Sequence, residues 1–317
     1  MTAQDSATHS PAISVRTGTF LAAAAVVAFS LSFPATVWAL DGFGPWTATG
    51  VRALLAGVLA AGCLYAARVP PPDRRHWAGL LTVAGGCVIG FPLLTTLALQ
   101  TSTTAHSAVV IGVLPLATVV ISSLLAGGRD RRERAVGLAA ADSVPTTRPS
   151  PVFWTAAILG AVTVAAFTLQ QSHGQPTVAD VYLFGALIVC GAGYAQGGRL
   201  AAAMPGWQVI AWGVVAALPV SAVVTALAVP HEPIHLTTKA VIGMGYLAAI
   251  SQFGAFVAWY RGMAAIGVPK ASQLQLAQPL ITLVWSVLLM GEHLPVLAPV
   301  AAVVVLACIA VTQRTRT

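Results

Sequence analysis

Residues 271–292, ASQLQLAQPLITLVWSVLLMGE, are apolar enough to cross a bilayer, yet Ser272, Gln275, Pro279, Thr282 and Ser286 recur at spacings of three and four. On a helix that spacing stacks them along one face. A lipid-facing helix has no use for such a stripe, because an unpartnered polar group in hydrocarbon costs several kcal/mol. The stripe must therefore face protein, water or a solute. A second copy lies 164 residues earlier: in 107–128, SAVVIGVLPLATVVISSLLAGG, Pro115 falls under Pro279, Leu116 under Leu280, Thr118 under Thr282, Ser122 under Ser286 and Gly127 under Gly291. The chain reads as two related halves.

The rest of the chain matches this setting. It is 57% hydrophobic and 8% charged with a mean hydropathy of +0.83, whereas in an ordinary soluble domain about a quarter of residues are charged. The net charge of +7 does not indicate a nucleic-acid partner, since Lys and Arg stand between apolar runs rather than clustering on a polar face. Cys63, Cys87, Cys190 and Cys308 sit inside apolar runs with no CxxC spacing and no nearby His, so they read as small core residues. No metal or cofactor is expected, and no Ser-His, paired-Asp or HExxH set points to an intramembrane enzyme.

Ten apolar runs follow the N-terminal tail: 19–40, 45–67, 77–99, 104–125, 153–169, 182–200, 206–229, 240–260, 271–290 and 296–312. The first exceeds the roughly 7 to 15 apolar residues of a signal peptide and is taken as a retained span. With the N-terminus in the cytoplasm, alternate loops place 14 of the 16 basic residues inside, Lys239 outside, and Arg52 within a span. That asymmetry predicts cytoplasmic termini in a cell inner (plasma) membrane. Five spans per half is odd, so the second half enters the membrane in the opposite sense. The expected fold is all-α and integral to the membrane, with ten transmembrane helices as two inverted five-helix repeats. The expected layout is a disordered tail at 1–18, a first repeat at 19–169 with a cytoplasmic loop at 127–151, a second repeat at 170–312, and a tail at 313–317.

Several residues could line a solute path. The ninth span supplies Ser272, Gln275, Gln278 and Thr282, whose neutral donors and acceptors could bind and release solute or bond neighbouring helices. Pro115 and Pro279 each free a carbonyl in mid-helix and mark a place to bend, and Thr118 repeats Thr282. In the eighth span Tyr246, Phe253, Phe256 and Tyr260 share a face, with Gln252 and Trp259 on a neighbouring one; Tyr194 lies deep in the sixth. Trp259 and Tyr260 are also placed where interface aromatics sit. Gly86, Gly90, Gly193 and Gly197 form small-xxx-small pairs suited to close helix packing. Arg52 is the charged residue well inside a span, suited to a carboxylate-bearing solute or to helix-end carbonyls, or able to snorkel outward. Asp41, Asp180, Glu232 and Glu292 fall at edges or loops, which leaves a carboxylate-driven proton antiporter no midplane residue.

Ten spans in two inverted halves, a proline in each fourth helix, Arg52 within GVRALLAG and the closing LLMGE with Gly291 and Glu292 together resemble the drug/metabolite transporter superfamily, EamA-like branch. The first half departs from that pattern by ending in Gly127-Gly128 where the family often shows Gly-Glu. The resemblance implies a transporter for a small-molecule substrate in a lipid bilayer. With the missing carboxylate it predicts export of a neutral or zwitterionic, amino-acid-like metabolite by alternating access. Import or exchange of nucleobases, sugars, amines or drugs fits the same fold, and a homo-oligomer is open to such a chain. A receptor or scaffold without transport fits less well, because no loop is long enough for a folded soluble domain.

Overall fold

The computed structural model describes residues 14–135, 151–171 and 175–314. The side chains at 126–135, 153, 157, 171, 268, 269, 272, 273 and 312–314 are outside that description, as are 1–13 of the expected tail 1–18, 136–150 of the expected loop 127–151 and 315–317 of the expected tail 313–317. The described chain is helical, with one isolated antiparallel bridge, Phe43 to Ile234.

The first helix, α1 (Val15–Ser30), starts four residues ahead of the expected apolar run because the Ser14 side chain accepts a hydrogen bond from the Thr17 N–H and caps it. After a one-residue break the chain continues as α2 (Ser32–Leu40), and α3 (Pro45–Ala66) opens with proline at its first position. The third run, α4 (Trp77–Val83) and α5 (Phe91–Ala98), is joined through a π-helical segment, Ala84–Gly90. The fourth run breaks between α6 (Thr104–Ile111) and α7 (Leu114–Ala135). Arg, Glu and Ala are good helix formers, so α7 continues past the apolar stretch into the segment expected to be loop.

Next come α8 (Pro151–Gln171), α9 (Val178–Leu200) and α10 (Gly206–Ala228). The eighth run is α11 (Thr238–Gly245) and α12 (Ala255–Ile266), joined by a second π segment, Tyr246–Gly254. The ninth breaks between α13 (Val268–Gln275) and α14 (Ala277–Met290), and α15 (Leu297–Arg314) ends the described chain. Among the described residues seven helices are long and apolar enough to span a membrane, while Trp154–Gln170, Ala277–Met290 and Leu297–Val311 are shorter apolar helices.

The 164-residue spacing seen in the sequence recurs in the backbone. It carries Gly90, the end of one π segment, onto Gly254, the end of the other, and Ile111, the end of α6, onto Gln275, the end of α13. The packing is reciprocal as well. The first run, α1, lies against α12, and its counterpart α9 lies against α4 and α5; α3 packs on α10, and α8 on α15.

The hydrophobic effect does not drive helices together inside a bilayer, so close packing of small residues and interhelical hydrogen bonds contribute instead. Between α1 and α12, Gly262 sits so near Ala22 N and Gly18 O that a side chain there would collide with backbone. Gly86 and Gly193 likewise face each other, with Val189 O and Cys87 filling the space a Cβ would need, as the small-xxx-small spacing predicts. Large apolar side chains such as Val58 on α3 and Val223 on α10 are exposed, as a lipid-facing surface requires.

Candidate functional site

Two glutamates beyond the helices fasten one end of the bundle. Glu292 accepts hydrogen bonds from the Thr104 and Ala105 N–H groups at 2.6 and 2.9 Å, capping α6. Glu232 accepts from Trp46 N and Thr47 N at 3.2 and 2.7 Å, capping α3. A carboxylate here satisfies donors that the first turn leaves unpaired and opposes the positive end of the helix dipole. Gly291, at φ +66°, makes the turn that delivers Glu292, with Glu292 N donating to Ser286 O at 3.0 Å. The first half carries Gly128 where the second has Glu292.

At the same end His106 Nε2 lies 2.7 Å from Oδ1 of Asp180, which is 1% exposed, and the imidazole stacks on Phe167. The other oxygen of Asp180 accepts from the N–H and hydroxyl of Thr177, closing the capping box of α9. Asp180 is thus at a helix edge, as its sequence position indicates, but buried and paired.

Between the helices lies a cavity of about 340 Å³, within the range of small-molecule sites. Its walls include Arg52, Pro115, Thr118, Tyr194, Gln252, Gln275, Gln278, Pro279 and Thr282, all singled out in the sequence. Tyr246 is not among them: its hydroxyl donates to Ala28 O at 2.8 Å, away from the cavity. The π segment beginning at Tyr246 explains the difference, because its wider turn breaks the 3.6-residue register used to group the aromatic residues. The same shift brings Gln252 onto the cavity with Phe256. Trp259 is 8% exposed and packs against α1 rather than lying at the interface. The side chain of Ser272 lies outside the described residues.

Two breaks shape the chamber. Proline cannot donate and crowds the carbonyl four residues back. Pro115 therefore frees the Ile111 carbonyl, where α6 ends, and Pro279 frees that of Gln275, where α13 ends. The breaks meet: a Cβ on Gly112 would stand 3.4 Å from Pro279 Cγ. Gln275 and Gln278 are half-buried on the wall, whereas the Thr282 hydroxyl donates to Ser30 O and Gln278 O at 3.1 and 3.0 Å, and Ser286 to Leu283 O at 2.8 Å. Thr282 is in part interhelical glue, and Ser286 lies off the cavity.

Arg52, 6% exposed, points into the same space. Its Nη2 donates to Gln252 Oε1 at 2.8 Å, and Gln252 Nε2 contacts Val88 O at 3.4 Å. Val88 and Gln252 are 164 residues apart, so the two π segments meet at equivalent positions. Ser32, Thr36, Thr95, Ser251 and the aromatics Phe29, Phe33, Phe91 and Phe256 complete much of the wall. Ser32 and Ser251 bond each other at 2.7 Å. Phe256 belongs to the aromatic face read from the sequence, whereas scattered hydroxyls in Ala-rich runs carry no sequence signal. Cys87 and Cys190 also face the cavity, Cys308 is buried and Cys63 is exposed, so three of the four lie inside the protein as expected.

The profile of the EamA-like transporter family matches residues 16–141 and 177–313, one segment in each half. The chain belongs to the EamA-like transporter family. This multi-pass membrane protein is 38% identical over 289 residues to the uncharacterized transporter YdeK of Bacillus subtilis (strain 168), covering 91% of this chain and 94% of that one. It also aligns with a protein of known crystal structure at a TM-score of 0.62 and 18% identity, over 93% of this chain and 97% of the other, a likeness of fold alone.

Proposed function

We propose that the protein exports a small neutral or zwitterionic, amino-acid-like metabolite across the plasma membrane by alternating access. The observation that carries this reading is the cavity itself, walled by two proline-broken helices and lined by neutral amides with, among the described residues, a single charged side chain, Arg52. Freed carbonyls and amide side chains bind a polar solute without the cost of pulling a charge off a carboxylate partner, and a broken helix bends more readily than a continuous one.

We place the protein as ten spans in two inverted halves, about 19–169 and 170–312, with both termini cytoplasmic. The contacts at the loop ends support this. The turn after α2 meets the segment after α10 through Phe43 and Ile234, and the start of α6 meets both Glu292 after α14 and Asp180 at the start of α9. In a ten-span chain these segments follow odd-numbered spans and share one face of the membrane. The turn after the first span of one half thereby meets the turn after the second span of the other, as opposed insertion requires.

The cargo is found by a growth-resistance screen across toxic amino acid analogues and common drugs in cells expressing the protein, followed by flux in right-side-out and inverted vesicles. Resistance to amino acid analogues with efflux from the cytoplasmic side supports the proposal. Net uptake, or movement of nucleobases, sugars, amines or drugs in their place, replaces it with the importer or exchanger reading.

A further inference from the structure

We propose that the cargo carries a carboxylate, or an equivalent monoanionic group, that seats on Arg52. This rests on the cavity being the transport site and names the charge that the site selects.

Arg52 lies on α3, and the spans packed around the cavity offer it no counter-ion. Among the described residues it takes part in no ion pair, its Nε is buried without a hydrogen-bond partner, and the neighbour bonded to Nη2 is the neutral amide of Gln252. Among the described residues no Asp or Glu lines the cavity, and the one buried acid, Asp180, is already held by His106 and Thr177. A guanidinium has five N–H donors in a planar fork shaped for a carboxylate. Burying that charge unpaired in a membrane is expensive, so a retained, unpartnered Arg facing a cavity points to an anion supplied from outside the protein.

The setting is built to hold the fork still. Gln252 reaches across from the second half and is clamped by two groups of the first: its carbonyl accepts from the Arg52 guanidinium and its amide donates to Val88 O. Arg52 also breaks the twofold pattern. The counterpart helix α10 contains no charged residue, so the positive charge at the cavity belongs to one half alone. Phe29, Phe33, Phe91 and Phe256 give the remainder of the cargo an aromatic surround. A solute with an anionic end and an apolar body fits this polarity. A cation without a carboxylate meets Arg52 with no acid to offset it.

Four solutes that share one aryl body separate the possibilities: 3-phenylpropionate, phenylalanine, 3-phenylpropanamide and 2-phenylethylamine. The full-length protein in lipid nanodiscs is titrated with each while its thermal unfolding is followed, and counterflow of each is measured in proteoliposomes. The two carboxylates should stabilise the protein with an affinity at least about tenfold above the amide and amine. Arg52→Gln should erase that preference and Arg52→Lys retain part of it. If Arg52→Gln does not accumulate, Gln252→Glu decides, since an internal carboxylate beside the guanidinium should hold the fold and abolish binding of both carboxylates. Equal binding of all four, no binding of any, or an unchanged preference in Gln252→Glu overturns the assignment. Carboxylates that bind through Arg52 but do not cross would leave the anion site standing and overturn the transport reading. Amine and amide that cross as fast as the carboxylates would do the reverse.

Discussion

At the scale of single residues, similar sequence signals resolve into different tasks. Glu292 closes a motif that sequence alone leaves without a role, and its oxygens are committed to the N–H groups of Thr104 and Ala105. Glu292→Ala should therefore cost about 1–2 kcal/mol of stability, seen as a lower unfolding temperature, while folded molecules bind cargo as before. A loss of binding without loss of stability would move Glu292 into the solute path. Thr282 and Gln275 share a stripe in the sequence but differ in the structure. Thr282→Val removes a bond to Ser30 O and should lower stability by roughly 1 kcal/mol with little change in affinity. Gln275→Leu takes a polar group off the cavity wall and should lower flux severalfold with unfolding unchanged, as read by vesicle transport beside thermal denaturation.

At the scale of elements, the breaks matter more than the helices. Apolar runs match the helices to within about six residues except at the end of α7, which runs on to Ala135, because length and hydropathy in a bilayer leave the backbone little choice. The prolines located the two interruptions, and the 164-residue repeat located them twice. The π segments were not legible. AGGCVIG and YLAAISQFG contain no proline, and a wider turn arises from packing between halves rather than from local preference. Face assignments that assume one helical period therefore group Tyr246 with Phe256, whereas Phe256 and Gln252 line the cavity and the Tyr246 hydroxyl turns to Ala28 O. Hydroxyls such as Ser32 and Ser251 were hidden for a similar reason, since only the tertiary fold brings them together. If the breaks serve motion, Pro279→Ala should restore the hydrogen bond to the Gln275 carbonyl and hold α13 and α14 in line. Flux should fall severalfold while the unfolding temperature holds or rises; unchanged flux would make the break architectural only.

At the scale of the whole molecule, positions 164 residues apart, Pro115 with Pro279 and Thr118 with Thr282, wall one chamber whose charge is one-sided. The equivalent residues Val88 and Gln252 meet between the halves, while Arg52 belongs to one half alone. A site at such a meeting point can be exposed to either side by rocking one half against the other, with the solute held near its centre. Thiol accessibility of that wall tests this most directly. With the four native cysteines replaced, Gln275→Cys is treated with a membrane-impermeant thiol reagent added separately to right-side-out and inverted vesicles. Labelling from both sides, slowed by 3-phenylpropionate, is the predicted result. A cysteine at 275 that stays unlabelled from either side would mean that no wet chamber exists for the halves to share.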